Sequence, residues 1–215
     1  MDLTITQNEN TIVPVVMEHE HRDDHASRIG MWLFIFTELI LFSGLFVVFS
    51  VFRYKYSEAF SIAGKELDVT LGTINSIILL FSGMTMGTAF LATRNGDKKL
   101  SLGMLFLTVV LGLVFLIIKY FEWVAKFSHG LFPGSEELIQ LSPGDVMFFG
   151  LYFFMTGLHA LHLLIGIAFI SIVLYKVYTG RIYTGNFVLI ENCSLYWHMV
   201  DLIWLFLFPI FYLIN

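Results

Sequence analysis

The sequence contains little charge, four prolines and one cysteine. Only 13% of its 215 residues are charged and 57% are hydrophobic, whereas about a quarter of a typical soluble domain is charged. This deficit excludes a disordered chain and an ordinary cytosolic enzyme. The net charge of −5 provides no basic surface for nucleic acid. The single cysteine, Cys193, excludes an internal disulfide or a cysteine-based metal cluster, and we expect it to be a small buried apolar residue.

Long hydrophobic segments make up most of the chain instead. A bilayer core requires about 20 apolar residues of helix. Five segments meet that length: 29–52, 71–92, 100–123, 146–175 and 187–214. They do not alternate polar and apolar positions as the strands of a membrane barrel do. The sequence therefore predicts an all-α integral membrane bundle of five transmembrane helices, which forms one membrane domain over residues 29–215.

Residues 1–28 are polar, and we expect them to form a cytoplasmic tail with the solvated histidines His19, His21 and His25. The tail contains no apolar segment for a signal peptidase, so the chain is expected to enter the membrane through its own helices. Lys and Arg side chains predict the orientation. Seven lie on the predicted inner side: Arg22, Arg28, Arg94, Lys98, Lys99, Lys176 and Arg181. Five lie on the outer side: Arg53, Lys55, Lys65, Lys119 and Lys126. This difference predicts a C-terminus outside the cell.

Two connectors carry recognisable signals for the ends of helices. Residues 94–99 are polar and include a glycine, which predicts a tight turn between the second and third segments. Before the fourth segment, Ser142 is a candidate N-cap and Pro143 suits the first helical position. Asp145 follows the cap by three residues, which completes the spacing of a capping box.

Glu38 is an ionisable side chain inside the first segment. It follows Ile29 by nine residues, about 14 Å along a helix axis, which places it near the midplane of the bilayer. A charge at this depth costs at least a few kcal/mol, so the neutral carboxyl is favoured unless a partner is present. Two interpretations stay open. Glu38 is either a proton carrier, ion site or regulatory carboxyl, or it makes a structural hydrogen bond to a neighbouring helix.

The fourth and fifth segments each carry polar side chains on one helix face. His159 and His162 are three residues apart, as are His198 and Asp201, and this spacing places each pair on one face. We expect the two faces to oppose each other and to be joined by hydrogen bonds. His159 and His198 would be the one cross-helix pair suited to axial haem ligation. A packing network is the favoured interpretation, with metal or haem binding as its alternative.

Small residues mark two further places where helices are expected to pack closely. Gly83 and Gly87 form a Gly-x-x-x-Gly element in the second segment, and Thr156 and Gly157 precede the two histidines of the fourth. Small side chains allow neighbouring backbones to approach each other inside a membrane. A single element of this kind is common in membrane helices and does not identify a function.

Three sequence elements resemble subunit III of the haem–copper oxidases. Residues 31–42 (MWLFIFTELILF) are similar to its Trp-x5-Glu-x3-Phe signature, and residues 156–162 (TGLHALH) to its Thr-Gly-x-His-x-x-His element. Residues 196–206 (YWHMVDLIWLF) resemble its Tyr-Trp-His-Phe-Val-Asp-x-x-Trp segment, with Met199 in place of the commoner Phe. The resemblance covers about residues 27–213. The matching positions are Glu38, Thr156, Gly157, His159, His162, Tyr196, Trp197, His198, Asp201 and Trp204.

The resemblance implies the five-helix form of this family, because the polar tail leads directly into the Glu38 helix. Longer members have two preceding helices and hold lipid in a cleft. The implied function is that of a non-redox accessory subunit of a proton-pumping terminal oxidase that reduces O2 to water. The resemblance assigns no catalytic, cofactor-binding or metal-binding residue to this chain. Haems and copper would lie in subunits I and II, with subunit I as the main contact and phospholipid bound nearby.

Several alternatives stay open within and outside this family. The resemblance favours a cytochrome c oxidase of a bacterial inner membrane, with a quinol oxidase or a relative associated with nitric oxide reductase as alternatives. Membership of a larger respiratory supercomplex is also open. A proton-coupled transporter would explain Glu38, although the sequence lacks the paired repeats of such transporters. A b-type cytochrome would use His159 and His198.

Overall fold

The computed structural model describes residues 24–182 and 186–213, and these residues are mainly helical. The helices are α1 (Asp24–Lys55), α2 (Ser57–Gly64), α3 (Val69–Arg94), α4 (Lys98–Ser128), α5 (Glu136–Ile139), α6 (Pro143–Tyr178) and α7 (Val188–Phe208). A π-helical turn, Pro209–Leu213, continues α7. Five of them are long and apolar enough to cross a membrane, namely α1, α3, α4, α6 and the combined α7 and π-helical turn. The predicted all-α bundle of five membrane helices is therefore confirmed.

The ends of the long helices lie close to the predicted bounds. The first four extend past them by two to five residues at each end. The first begins at Asp24, so that His25 lies within its first turn, whereas His19 and His21 lie outside the described residues. Apolar composition locates a membrane segment, but the helix itself continues until a capping group or a turn ends it.

Side-chain caps begin three of the long helices, because the first N–H groups of a helix lack partners within it. Ser142 Oγ accepts a hydrogen bond from the Asp145 N–H, and the Asp145 carboxylate accepts one from the Ser142 N–H. Pro143 occupies the first turn, so the predicted capping box of α6 is confirmed. The carboxylates of Asp68 and Asp97 cap α3 and α4 in a similar way.

Two short helices lie in the connectors and have no counterpart in the sequence prediction. The ring of Phe60 on α2 packs between Phe49 of α1 and Phe148 of α6, with ring centroids 5.4 and 5.3 Å apart. The four-residue helix α5 buries Leu138. Helices of this length show no clear hydrophobic period, so their place depends on contacts with the long helices.

α7 is central to the bundle and packs against α1, α3 and α6. The indole of Trp197 on α7 is fully buried, as is that of Trp204. A Cβ atom on Gly112 of α4 would lie 2.9 Å from the Trp197 ring, and one on Gly166 of α6 would lie 3.0 Å from it. Cβ atoms in proteins rarely come so close to a ring carbon. These two glycines therefore allow α4 and α6 to close on the indole.

The outside of the bundle is covered by large apolar side chains. Residues exposed on three of the long helices include Trp32, Leu33, Phe36, Phe106, Phe121 and Phe154. An extensive exposed apolar surface marks contact with a membrane or with another protein. Together with the helix lengths, this surface indicates that the bundle spans a membrane. Cys193, by contrast, is buried and free, as expected.

Candidate functional site

Glu38 of α1 is paired with His162 of α6 near the middle of both helices. The Glu38 Oε2 atom lies 3.0 Å from His162 Nε2, and the two side chains are 17% and 9% exposed. His162 Nδ1 lies 2.8 Å from the backbone oxygen of Leu158. The ring of Phe42 packs against the imidazole, with 5.5 Å between the ring centroids. Glu38 thus has a partner on a neighbouring helix, as its structural interpretation requires.

The protonation of this pair follows from the partners of the imidazole. A carbonyl oxygen only accepts, so Nδ1 of His162 donates to Leu158. Nε2 of a neutral His162 is then an acceptor, and Glu38 must be protonated in order to donate to it. If Glu38 is ionised instead, His162 carries both protons. In either arrangement one proton lies between Oε2 and Nε2 and the pair has no net charge, which lowers the cost of placing it at this depth.

His159 has a different environment from His162. It is 1% exposed and lies between the rings of Phe115 on α4 and Trp204 on α7, at centroid distances of 5.8 and 5.3 Å. Neither of its ring nitrogens has a hydrogen-bond partner among the described residues. Its contacts are therefore with aromatic rings and not with a second polar face.

Thr156 and Gly157 make contacts within α6 and with α4. Thr156 Oγ1 donates to the backbone oxygen of Tyr152 at 2.6 Å, which satisfies the hydroxyl inside its own helix. A Cβ atom on Gly157 would lie 3.6 Å from the ring of Trp123, an ordinary contact distance. This is the kind of helix contact expected of a small residue.

The two signature tryptophans of α7 attach that helix to α3. Trp197 Nε1 donates to Ser82 Oγ, and Trp204 Nε1 donates to Ser76 Oγ, both at 3.0 Å. A buried indole needs an acceptor for its N–H, and the serines of α3 supply one for each ring. Both tryptophans therefore combine a large apolar contact with a specific hydrogen bond.

His198 and Asp201 lie on a face of α7 that is directed toward α3. A Cβ atom on Gly83 would lie 2.6 Å from Asp201 Oδ2 and 3.5 Å from His198 Nδ1. Asp201 is 8% exposed, and its Oδ1 atom has no hydrogen-bond partner among the described residues. His198 is exposed on the outside of the bundle. Gly83 thus provides the close helix approach that its sequence element predicts.

The expectation that the polar faces of α6 and α7 oppose each other is wrong. His162 is directed to α1 and His159 to aromatic rings, whereas His198 and Asp201 face α3. His159 and His198 consequently do not form a cross-helix pair of ligands. One hydrogen bond does cross between the two helices, from Tyr196 OH to the backbone oxygen of His162 at 2.9 Å. Sequence spacing shows which residues share a face, but several neighbouring helices compete for that face.

A buried ion pair lies between α4, α6 and the C-terminal turn. Lys119 Nζ is 3.1 Å from Glu122 Oε2, and the side chains are 5% and 3% exposed. Lys119 also donates to Tyr212 OH at 2.5 Å, and Tyr152 OH donates to Glu122 Oε1 at 2.6 Å. Tyr212 OH donates to the same carboxylate oxygen. The ammonium lies 4.8 Å from the ring centroid of Trp204, so the pair is enclosed by aromatic side chains.

The sequence prediction did not include this cluster. It counts Lys119 among the outer charges because the residue lies near the end of a predicted segment. The opposite charge three residues later was the available signal, since residues at this spacing share a helix face. A charged pair is buried only when hydrogen bonds satisfy its remaining atoms, and here the phenols of Tyr152 and Tyr212 provide them.

Comparisons with known proteins extend over nearly the whole chain. The sequence profile of the family described as cytochrome c oxidase subunit III matches residues 9–215. The chain belongs to this family. It is 31% identical to cytochrome c oxidase subunit 3 of Yarrowia lipolytica, over 92% of this chain and 74% of that protein. It is 26% identical to cytochrome bo(3) ubiquinol oxidase subunit 3 of Pseudomonas aeruginosa, over 92% of this chain and 90% of that protein.

A further relative of this subunit III joins two subunits in one chain. The haem–copper oxidase subunit I+III of Aeropyrum pernix is 30% identical over 94% of this chain, which spans only 24% of that protein. Family membership gives this chain a role in a membrane-bound oxidoreductase complex. It also implies association with other oxidase subunits.

We expect the Glu38→Gln variant of this subunit III to keep the contact between α1 and α6. The glutamine amide donates to Nε2 of a neutral His162 as a protonated carboxyl does. The variant should therefore lose less than about 1 kcal/mol of unfolding free energy. Thermal unfolding of the purified oxidase measures the change in stability. The amount of subunit III in the preparation shows whether the variant stays bound.

The Glu38→Leu variant is the matched control, because it removes the donor and leaves His162 Nε2 without its partner. It is expected to cost about 1–3 kcal/mol, the usual penalty for an unsatisfied buried polar group. Equal destabilisation by glutamine and leucine would contradict the arrangement in which a protonated Glu38 donates to a neutral His162. Such a result would favour an ionised Glu38 beside a doubly protonated His162.

Proposed function

We propose that this chain is the non-redox subunit III of a proton-pumping terminal oxidase that passes electrons from cytochrome c to O2 and forms water in aerobic respiration. The observation that carries the proposal is the family match over residues 9–215, which includes all five membrane helices. Relatives named cytochrome c oxidase subunit 3 support the choice of donor. In this function the chain stabilises subunit I and supports proton uptake by the complex.

The environments of the histidines support a subunit without a redox centre of its own. His159 contacts aromatic rings, His162 pairs with Glu38, and His198 lies over α3. Within residues 24–182 and 186–213, no three His, Cys, Asp or Glu side chains are grouped as a metal site requires. Haems and copper would then be held by subunits I and II.

The signature residues are proposed to hold the bundle together and to face partner subunits. They are Glu38, Thr156, Gly157, His159, His162, Tyr196, Trp197, His198, Asp201 and Trp204. Subunit I is proposed as the main contact and subunit II as a second, which the fused subunit I+III relative supports. The Glu38–His162 pair lies at a partly exposed edge of the bundle, which supports a place beside the proton-uptake surface of subunit I.

We also propose a bacterial inner membrane location with the N-terminus in the cytoplasm and the C-terminus outside. Residues 1–28 would form the cytoplasmic tail, and 29–215 the membrane domain. Seven Lys and Arg residues lie on the proposed inner side against five on the outer side, which supports this orientation.

A bound phospholipid is proposed at the outer end of α1. A groove of about 580 Å³ there is lined by Phe49, Ser50, Arg53, Tyr54, Ser57 and Ile210. The apolar residues offer a surface for an acyl chain, and Arg53 offers a positive charge for a phosphate near the membrane interface. This combination supports lipid binding on the side of the chain that carries Glu38.

A quinol oxidase subunit III is the second candidate. The relatives in Pseudomonas aeruginosa and Staphylococcus saprophyticus carry quinol oxidase names and are 26% and 27% identical to this chain. The two candidates differ only in the electron donor, which docks on other subunits. The rate of O2 consumption by the purified complex, with reduced cytochrome c or with a quinol as donor, separates them.

The test of the proposed function is purification of the affinity-tagged chain in a mild detergent. We expect haem-containing subunits to copurify and to give a reduced-minus-oxidised absorption difference. When a harsher detergent splits off this chain, the spectrum should remain with the partners. An unrelated membrane protein with the same tag is the control.

The other outcomes identify the alternatives. A chain that purifies alone and colourless would contradict the oxidase assignment and favour a transporter. A chain that purifies alone with a haem spectrum would favour a b-type cytochrome. The haem type in the spectrum of a copurified complex would narrow the class of oxidase.

A further inference from the structure

The outer face between α3 and α7 combines small residues with polar groups. A groove of about 490 Å³ lies there, and its lining includes Gly83, Met84 and Gly87 of α3 together with His198 and Asp201 of α7. Elsewhere on the outside, exposed side chains such as those of Phe106 and Phe121 are apolar. This groove is therefore distinct from the surface that suits lipid chains.

The polar groups of the groove lie deep within the membrane. His198 is about 15 Å along the axis from the first residue of α7, and Gly83 is about 16 Å from the last residue of α3. Both of these helix ends lie on the same side of the bundle, so the two residues have a similar depth. An exposed ionisable side chain at this depth is costly in lipid, which indicates that this face is covered.

Asp201 indicates the chemistry of what covers the face. The residue is 8% exposed and lines the groove, and no hydrogen bond from the described residues reaches its carboxylate; Oδ1 is enclosed within the bundle, which leaves Oδ2 as the oxygen that a neighbour can reach. A buried acceptor without a donor is unfavourable. An acyl chain supplies no donor, whereas a hydroxyl or amide side chain on a neighbouring helix does.

The two glycines determine how close a neighbour can come. The space beside Gly83 is filled by the Asp201 carboxylate of α7, whereas a Cβ atom on Gly87 would lie 3.8 Å from His198 Nε2. Because Gly87 has no side chain, another helix backbone can approach α3 closely at that position. The backbone polar groups of such a helix are already satisfied internally, as the membrane interior requires.

We propose that this groove is the docking surface for a membrane-spanning helix of another oxidase subunit. That helix packs small residues against Gly87, and a hydroxyl or amide side chain donates a hydrogen bond to Oδ2 of Asp201. His198 provides a second polar contact at the same depth. The proposal rests on the proposed function, because it requires the assembled oxidase.

Site-directed cross-linking in the purified oxidase tests this contact. In a variant without its single cysteine (Cys193→Ala), Met84→Cys places a thiol at the exposed rim of the groove, and Phe106→Cys places one at a similarly exposed position on α4. A thiol-attached photoreactive probe at Met84→Cys is expected to yield a product of this chain with one other oxidase subunit, identified by mass spectrometry. Phe106→Cys should yield several-fold less of that product.

A pair of glycine variants tests the fit of the docked helix. Gly87→Leu fills the groove while its Cβ makes only an ordinary contact with His198. Gly103→Leu on α4 is the matched control, because nothing lies within 4 Å of its Cβ and both glycines lie on the order of 10 Å from the same turn. We expect Gly87→Leu to release this chain from the oxidase at lower detergent concentration, whereas Gly103→Leu behaves as the wild type does. Circular dichroism of each variant checks that the helices are intact.

The outcomes are distinguishable from a failure of the proposed function. Cross-links to lipid only, or between two copies of this chain, in a preparation that still contains the other oxidase subunits would overturn the docking surface alone. Equal retention of Gly87→Leu and Gly103→Leu would do the same. A preparation without other oxidase subunits would overturn both proposals.

Discussion

Replacement of Glu122 by alanine is expected to destabilise the bundle by roughly 3–5 kcal/mol, because it leaves a buried charge without its partner. Lys119 would be left among aromatic rings without a carboxylate partner, at the cost either of an unpaired buried charge or of the loss of its proton. Tyr152 would lose the carboxylate oxygen to which it donates at 2.6 Å. Unfolding of the purified chain by increasing sodium dodecyl sulfate in mixed micelles measures this difference.

The double variant Lys119→Met/Glu122→Leu is the informative control. It removes both charges, and replacement of a buried ion pair by apolar side chains is often nearly neutral. The phenol oxygens of Tyr152 and Tyr212 lie 3.5 Å apart and can form a hydrogen bond with each other. The double variant should therefore recover most of the stability that Glu122→Ala loses. Glu58→Ala, at an exposed position, should change stability by less than about 0.5 kcal/mol. An equally small effect of Glu122→Ala would show that the buried pair does not stabilise this fold.

The Trp197→Ala variant is expected to cost about 3–5 kcal/mol, as for other large side chains removed from a packed interior. The indole fills the space that Gly112 and Gly166 leave open, and its N–H is the donor to Ser82. The variant therefore loses contacts to three helices and one hydrogen bond. We expect a lower Tm of the oxidase-bound chain and loss of this subunit during purification.

Trp32→Ala is the matched control for this variant. Trp32 is 59% exposed on the outside of α1, so its removal creates no cavity inside the bundle. It should change the Tm much less than Trp197→Ala does. A similar loss for both tryptophans would mean that aromatic surface, and not the packing around Trp197, stabilises the chain.

The five long helices could be predicted because a membrane segment depends on local composition. A run of about 20 apolar residues is sufficient, and Ser142 and Asp145 form their predicted cap within four residues of sequence. The helices α2 and α5 could not be predicted in this way. Their position depends on residues distant in sequence, such as the contact of Phe60 with Phe148.

The sites show the same division between local and long-range information. Sequence spacing correctly indicates that His159 and His162 share a face, yet His162 pairs with α1 and His159 packs against Phe115 and Trp204. The pairing of Lys119 with Glu122 is local and could have been inferred. The hydrogen bonds that the phenols of two other helices make to this ion pair depend on the tertiary fold.

Glycine illustrates why a motif alone is ambiguous. Gly83 and Gly87 form a recognisable Gly-x-x-x-Gly element, whereas Gly112 and Gly166 belong to no motif. The latter two nevertheless enclose the fully buried indole of Trp197. The role of a glycine depends on the side chain that faces it, and that side chain belongs to another helix.

The pair of Glu38 and His162 has no net charge in either arrangement of its proton. This property determines how the contact between α1 and α6 responds to the membrane potential. A full elementary charge moved across the membrane changes energy by about 2.3 kcal/mol per 100 mV. The proton between Oε2 and Nε2 moves within a gap of 3.0 Å, and the bilayer core is about 30 Å thick. The potential therefore biases its position by at most about 0.2 kcal/mol per 100 mV, which is below thermal energy. The hydrogen bond between Glu38 of α1 and His162 of α6 should therefore have nearly the same strength with and without a membrane potential.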